Sequence, residues 1–502
     1  MTLHNEPASV VEARVTSSSS LYRGQVIAGP MVRVSALAFR VLCANQGAGV
    51  VFTEEMVSAK LSKATREVVV YRIPFGLLPN NNKTRPPIDM IRLSNEGTFD
   101  LSSNESMAQV NARLVDVDVV EYVVYEAFKN MLKRQVVFST IARSDRNRLH
   151  QHVDLDDGGN TGYYPEGSPL VAQLGAADPA VAAAAASVVC EDVDGIDVNM
   201  GCPKKFSIDN GMGAALMSAP ERAGAILKAI NDAVNSPDRV ASRPHHRRIP
   251  ISFKTRVFSD VSASVSQLRR VVECSGFCVH AITLHARTRD QRSETAPLQS
   301  HAELVVTQCR REHPTVFPEG LCFVYNGSVD HREQADLFVK RRLHTSPFEG
   351  AMLSRSAMWD PSVFTAHRHT TAPFVSEALG SPAEISRVYK AMMLLHRVYH
   401  TNFTYVKYHL TRSYQEFPCV KKTVHPKMQS ARSYGAFAEL VGFDRETAQR
   451  DFGMITFEEL LPKSATVGKQ DAVRQRESGD EILASDAPVA KEARVEGLTS
   501  SA

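Results

Sequence analysis

Residues Gly195-Ile196-Asp197-Val198-Asn199-Met200-Gly201-Cys202-Pro203-Lys204-Lys205 place a thiol at the end of a short alternating run. Ile196, Val198 and Met200 fall on one face of an extended chain, and Asp197 and Asn199 on the other. A strand that hides polar residues lines a site. Cys202 then stands between Gly201 and Pro203, the most permissive and the most restricted of backbone residues. A lone cysteine is more often a small core residue, but this setting makes Cys202 a candidate reactive group. Other apolar runs end in the same way. Lys254 follows Ile251 and Phe253, His285-Ala286-Arg287 follows Ile282 and Leu284, and two later runs end in Asn326-Gly327-Ser328 and Ser354-Arg355. A buried lysine is costly unless an anion meets it. The Gly327 backbone with Arg355 could hold a phosphate through N–H groups and a bidentate guanidinium, although Asn-Gly alone is also a plain turn signal. Gly29-Pro30-Met31-Val32-Arg33 and Gln173 together offer an apolar ledge and an amide, which suit a flat heteroaromatic ring.

These groups need a scaffold that collects strand ends. Apolar runs at 25–28, 50–53, 170–174, 195–199, 249–255, 281–285, 322–326 and 350–353 predict eight strands, each followed by a segment that can be helical. That is the pattern of a (β/α)8 TIM barrel, an α/β fold whose functional groups gather at the C-terminal strand ends. The barrel is expected over 21–372, with polar surface insertions at 78–118 and 144–167. Ser218-Ala219-Pro220-Glu221 reads as a capping box that starts one helix. From 375 to 458 a small all-α helical domain is expected. It opens on a cap at Ser381-Pro382-Ala383-Glu384 and runs through Ile385, Val388, Tyr389, Met392, Leu395, Tyr399, Phe403 and Val406 at helical spacing. Residues 1–20 predict a flexible tail and 462–502 a disordered one.

Composition sets outer limits. A chain of 502 residues that is 43% hydrophobic and 23% charged is an ordinary globular one. A net charge of +3 does not by itself announce nucleic-acid binding. The eight cysteines follow no disulfide or zinc-site spacing, so a reducing compartment and no metal are expected. No apolar run is long enough to cross a membrane, and an N-terminus carrying Glu6 and Glu12 does not read as a signal peptide. One local patch departs from neutrality. Lys407, Arg412, Lys421, Lys422, Lys427 and Arg432 face only Glu416, a local +5 interleaved with Tyr408, Tyr414 and Phe417. This is either a phosphate-binding footprint or a solvated helix face.

The motifs together resemble the tRNA-dihydrouridine synthases, most of all the eukaryotic branch that acts on position 20 of the tRNA D-loop. The residues that carry the likeness are Gly29 to Val34, Thr53-Glu54-Glu55-Met56, Gly195 to Lys205 with Gly211-Met212-Gly213-Ala214-Ala215-Leu216, Lys254-Thr255-Arg256, His285-Ala286-Arg287, Tyr325-Asn326-Gly327 and Ser354 to Pro361. The similarity spans about 21–450. The family usually has Ala at Gly29, Gly at Ala286, Gly or Ala at Ser354, and Gly or Asp at Ser328.

The resemblance implies a flavoenzyme that reduces uridine to 5,6-dihydrouridine. FMN is its expected cofactor, held by Pro30, Met31, Val32, Gln173, Lys254, His285, Asn326, Gly327, Ser328, Ser354 and Arg355, with NADPH as reductant. Hydride would reach uracil C6, and Cys202 would act as general acid at C5. Asn199 and Arg287 are expected to touch the substrate, and Lys407, Arg412, Lys421, Lys422 and Lys427 to hold the tRNA. A monomer without membrane contact is expected, in the cytoplasm and also in the nucleus. Two other readings remain: an FMN barrel acting on a free pyrimidine, as dihydroorotate dehydrogenases do, or a tRNA-binding barrel without catalysis.

Overall fold

In a computed structural model, the structure describes residues 21–74, 77–79, 114–128, 131–143, 166–339, 346–365 and 382–452. Eight strands close a parallel barrel: β1 (Val26–Ala28), β2 (Val50–Val57), β6 (Leu170–Gly175), β7 (Gly195–Met200), β8 (Ile251–Arg256), β9 (Val279–His285), β10 (Cys322–Asn326) and β11 (Gly350–Leu353). They follow one another in chain order around the ring, and β11 pairs with β1. All eight expected strands are present. Ile251 and Phe253 face the outer helix layer, while Ser252 and Lys254 fall on the inward face. Tyr22, Ile27, Phe52, Val171, Val324 and Met352 fill the barrel interior.

The chain between β2 and β6 departs from expectation. Strands β3 (Thr65–Pro74), β4 (Leu114–Phe128) and β5 (Met131–Ile141) form an antiparallel sheet beside the barrel. Residues 114–118, expected within a polar insertion, therefore belong to a strand, with Val115 and Val117 buried. Alternation of Val with Asp over 115–118 satisfies one buried and one solvated face. The rest of that insertion, 80–113, and residues 144–165 of the second lie outside the described residues, as do the tails at 1–20 and 462–502.

Glu166, at the end of the second insertion, is anchored. Arg40, on helix Leu37–Asn45, donates two hydrogen bonds to its carboxylate at 2.8 and 2.7 Å, and Thr140 of β5 donates a third at 2.7 Å. Arg40 also donates to the carbonyls of Ser35 and Ser139. One buried ion pair thus ties the first barrel loop, the small sheet and the approach to β6 together.

Helices Pro382–Val398, Phe403–Tyr414, Tyr434–Val441 and Arg445–Asp451 form the C-terminal layer. Its core is shared: Tyr389, Leu395, Val406 and Phe437 pack in one cluster with Val41 of the first barrel helix and Val117 of β4. Two expected details are corrected. The helical pattern running on through Phe403 is broken at His400, whose φ is +51°, and Asn402 caps a new helix by accepting from the Thr404 N–H. Ser218 does not cap helix Pro220–Val234. It ends the preceding 3-10 turn, Ala219 holds the cap position, and Glu221 instead pairs with Arg270. The cap expected at Ser381 lies outside the described residues.

Removing one partner of a buried pair leaves the other charge without compensation. Glu166→Gln is expected to cost about 3–5 kcal/mol in chemical denaturation, and the Arg40→Met, Glu166→Leu double variant clearly less than the two single losses combined.

Candidate active site

The C-terminal end of β7 is organised by a chain of buried hydrogen bonds inside the barrel. Tyr22 donates to Ser252 Oγ at 3.0 Å, and Ser252 donates to Asp197 at 2.7 Å. Gln173 Nε2 donates to the other Asp197 oxygen at 2.8 Å, and its Oε1 accepts from Asn199 Nδ2 at 3.3 Å. Asn199 Oδ1 in turn accepts the backbone N–H groups of Gly201 and Cys202, both at 3.0 Å. The polar face of β7 therefore fixes the turn that carries the thiol. Burial raises the Asp197 carboxyl to about 6, against the opposing hydrogen bonds from Gln173 and Ser252 and the charge of Lys254. At neutral pH it remains an anion.

Gly213 completes the turn. Its φ is +58°, and a Cβ there would stand 2.7 Å from the Cys202 carbonyl oxygen, while Ala214 N–H donates to that same oxygen. Arg256 braces the other side, donating to the carbonyls of Gly201, Thr288 and Gln291. Cys202 itself is partly exposed, and Ser207 donates to Sγ at 3.4 Å.

Beside Pro203 a cavity of about 330 Å³ opens over the ends of β8 to β11. Pro30, Lys254, His285, Arg287, Asn326, Gly327, Ser328, Ser354 and Arg355 all border it, so nine of the residues singled out by sequence converge on one space. Its charge is lopsided: Lys254, Arg256, Arg287, Arg292 and Arg355 face Asp330. Burial lowers Lys254 to about 8, with the Arg256 charge adding to that effect, and Asp197 and Cys202 oppose it. His285 is pushed well below its ordinary value by burial and then by Lys254, Arg256, Arg287 and Arg355. It is neutral, and its Nε2 accepts from Arg287 at 3.1 Å. Trp359 Nε1, which borders the same cavity, is buried without a hydrogen-bond partner. A cavity rich in cations and floored by a positive-φ glycine fits a phosphorylated, flat cofactor.

Some candidates sit elsewhere. Gln173 is buried, and both ends of its amide are engaged by Asp197 and Asn199. Met31 and Val32 lie in the turn after β1 outside that cavity, with Met31 half-buried and Val32 exposed. Arg287 is buried and donates to Ser328 Oγ at 2.8 Å, which puts it with the cofactor cavity rather than with an outer RNA surface. Lys407 donates to the Ala431 carbonyl at 2.6 Å and straps two helical segments together. Arg412, Lys421, Lys422 and Lys427 are exposed, whereas Tyr414 and Phe417 are core residues. Sequence reasoning gave no role to Arg256 or Ser207. Both touch the Cys202 turn, and Arg256 was visible only as one position of the Lys-Thr-Arg motif.

The family model for dihydrouridine synthases (Dus) matches residues 119–431. The chain belongs to the dihydrouridine synthase family. It is 25% identical over 354 residues to the tRNA-dihydrouridine(20) synthase [NAD(P)+] of Saccharomyces cerevisiae, covering 70% of this chain and 68% of that protein. With the Schizosaccharomyces pombe enzyme of the same description it shares 27% over 269 residues, 54% of this chain and 48% of the relative. A Pseudomonas putida tRNA-dihydrouridine(20/20a) synthase is 31% identical over 196 residues, 38% of this chain and 52% of that one.

Gly29 and Ser354 of this dihydrouridine synthase are adjacent across the seam between β1 and β11. A Cβ on Gly29 would lie 2.4 Å from Ser354 Oγ and 2.8 Å from Met352 Cγ. The hydroxyl of Ser354 and the Met352 side chain together occupy the room that a methyl on Gly29 would need. Ser328 has φ +49°, a left-handed conformation that favours glycine. The Arg287 hydrogen bond offsets a strain of order 1 kcal/mol there. Gly29→Ala is expected to cost about 1–3 kcal/mol by overpacking, and adding Ser354→Gly to recover part of it while Met352 still crowds the methyl, as read by urea denaturation.

Proposed function

We propose that this chain reduces uridine in the D-loop of tRNA to 5,6-dihydrouridine, with FMN as resident flavin and NADPH as reductant. The observation that carries this reading is the convergence of the Cys202 turn and the cationic cavity around Lys254, His285, Arg287 and Arg355 on one barrel mouth. Family membership supports it, as do relatives described as NAD(P)+-linked tRNA-dihydrouridine synthases.

The residues that border the cavity suit FMN. Arg287, Arg355, Ser328 and the Gly327 backbone would hold the phosphate, and Pro30 would back the ring. Lys254 would face the electron-accepting edge of the ring and stabilise added negative charge. When bound, the flavin supplies the hydride that reaches uracil C6. Cys202 supplies the proton at C5. Asn199 Oδ1 is occupied by two backbone donors, but only one Nδ2 hydrogen is spent on Gln173. The second is left to donate to a uracil carbonyl.

A uridine in a folded D-loop must leave its stack to enter this mouth. Arg412, Lys421, Lys422 and Lys427 on the helical layer provide exposed cations for the tRNA backbone. The layer reaches the mouth directly: the Arg33 guanidinium lies over the Tyr408 ring at 5.6 Å. On this reading the enzyme works as a monomer on cytoplasmic tRNA.

Mapping dihydrouridine in total tRNA from cells with and without the protein tests the reading, with rescue by wild type or Cys202→Ala. Loss of one or more D-loop dihydrouridines, restored by wild type and not by Cys202→Ala, is expected; unchanged tRNA overturns it. Lys254 gives a pH signature. It is a cation below about 8 and neutral above, so FMN affinity measured by fluorescence quenching is expected to weaken between pH 7 and 9, by roughly ten-fold at most. Lys254→Met should bind FMN weakly at both pH values.

A further inference from the structure

A general acid must regain its proton before the next substrate arrives, and the groups around Cys202 indicate the source. Strand β2 pairs Phe52 with Val171 but Glu55 with Gln173, so one extra residue is accommodated at Thr53–Glu55. Bulges of this kind re-aim side chains beside active sites. Thr53 Oγ1 fills the gap by accepting the Gln173 N–H at 2.9 Å. The bulge sends two neighbouring carboxylates to different places. Glu54 accepts the Arg33 N–H at 2.9 Å and meets Tyr405 of the helical layer. Glu55 turns toward the Cys202 thiol, which is near enough to ease the burial of its carboxylate.

The surroundings of Glu55 suit proton exchange. Its Oε1 is buried with no hydrogen-bond partner, while the side chain as a whole is only partly buried and keeps a path to water. Gly175 leaves space for it, since a Cβ there would come within 2.6 Å of Oε1. Burial raises the affinity of this carboxyl for a proton, and Lys204 and the thiol oppose that shift. The charges facing Cys202 from the other elements are Lys254 and Arg256 of β8.

We propose that Glu55 returns the proton to Cys202 after each uridine is reduced, relaying it from solvent to the thiolate. This rests on the uridine-reduction reading above. The S–H bond of Cys202 breaks as the C5–H bond forms, leaving a thiolate beside a carboxylate. Two adjacent anions bind a proton more tightly than either alone. Glu55 takes a proton from water, and its O–H bond breaks as S–H re-forms. One solvent proton is consumed per uridine, and no electrons move in this step.

Rapid-quench kinetics on the flavin-loaded full chain with excess NADPH and tRNA transcript tests the relay. Glu55→Gln keeps the size of the side chain but cannot pass on a proton. It is expected to give a burst of about one dihydrouridine per enzyme, then a steady rate roughly ten-fold or more below wild type. Added imidazole or acetate buffer should raise that rate in proportion to its concentration, and Glu55→Asp should restore part of it. A steady rate equal to wild type overturns the relay. So does a loss already complete in the first turnover and unresponsive to buffer, as expected of Cys202→Ala. A second measurement needs no substrate. In flavin-free protein at pH 7, iodoacetamide should alkylate Cys202 roughly five-fold faster in Glu55→Gln, because removing the neighbouring anion favours the thiolate. An unchanged alkylation rate refutes the contact itself. Wild-type protein that makes no dihydrouridine would defeat the functional reading while leaving this second result informative.

Discussion

Asp197 is the constraint around which the barrel mouth is arranged. A carboxylate with no exposed surface must be satisfied by hydrogen bonds or be displaced by an apolar residue. Ser252 and Gln173 supply those bonds from the two flanking strands. Once the Gln173 amide is held at one end, its other end has a single orientation, and Asn199 follows. Asn199 then gathers the N–H groups of Gly201 and Cys202 into one turn. A buried charge near the middle of the barrel thereby sets the position of a sulfur at its rim. The charge also faces Lys254, whose own burial is made tolerable by that proximity.

Much of this is legible in sequence, for a physical reason. Parallel barrel strands are buried on both faces, so they read as short apolar runs, and a polar residue at their ends stands out. Asn199, Lys254, His285 and Asn326 are all found in this way. The small antiparallel sheet is harder to see. Its alternation is clear in Val115-Asp116-Val117-Asp118 but begins directly after a polar stretch that masks the strand start. The bulge in β2 is not legible, because an extra residue changes which side chain faces inward without altering composition. Glu55 therefore reads as one of two acids in a motif rather than as the neighbour of Cys202. Aromatic residues among the lysines of 407–432 mislead for a related reason. Helical spacing sends Tyr414 and Phe417 to the core while their basic neighbours stay outside.

The departures from the family pattern become intelligible only in three dimensions. Gly29 and Ser354 are far apart in sequence but adjacent across the β1–β11 seam that closes the barrel. Ser354 Oγ and the Met352 side chain fill the space beside Gly29, so a side chain at one position bears on the other. Ser328 accepts an unfavourable backbone because its hydroxyl gains a guanidinium partner that glycine lacks.

The C-terminal helices are bonded to the segment that follows β11. Tyr389 donates to the Trp359 carbonyl, while His409 and Ser413 both hydrogen-bond to that of Met358. These carbonyls terminate the short helix Arg355–Trp359, whose first residue borders the cationic cavity. Cutting the chain ahead of residue 382 would strip the cover from Val41 and Val117 and leave two carbonyls without their donors. A barrel prepared alone would thus carry a loosened cavity loop, and comparing it with the whole chain would not isolate what the helical layer itself contributes.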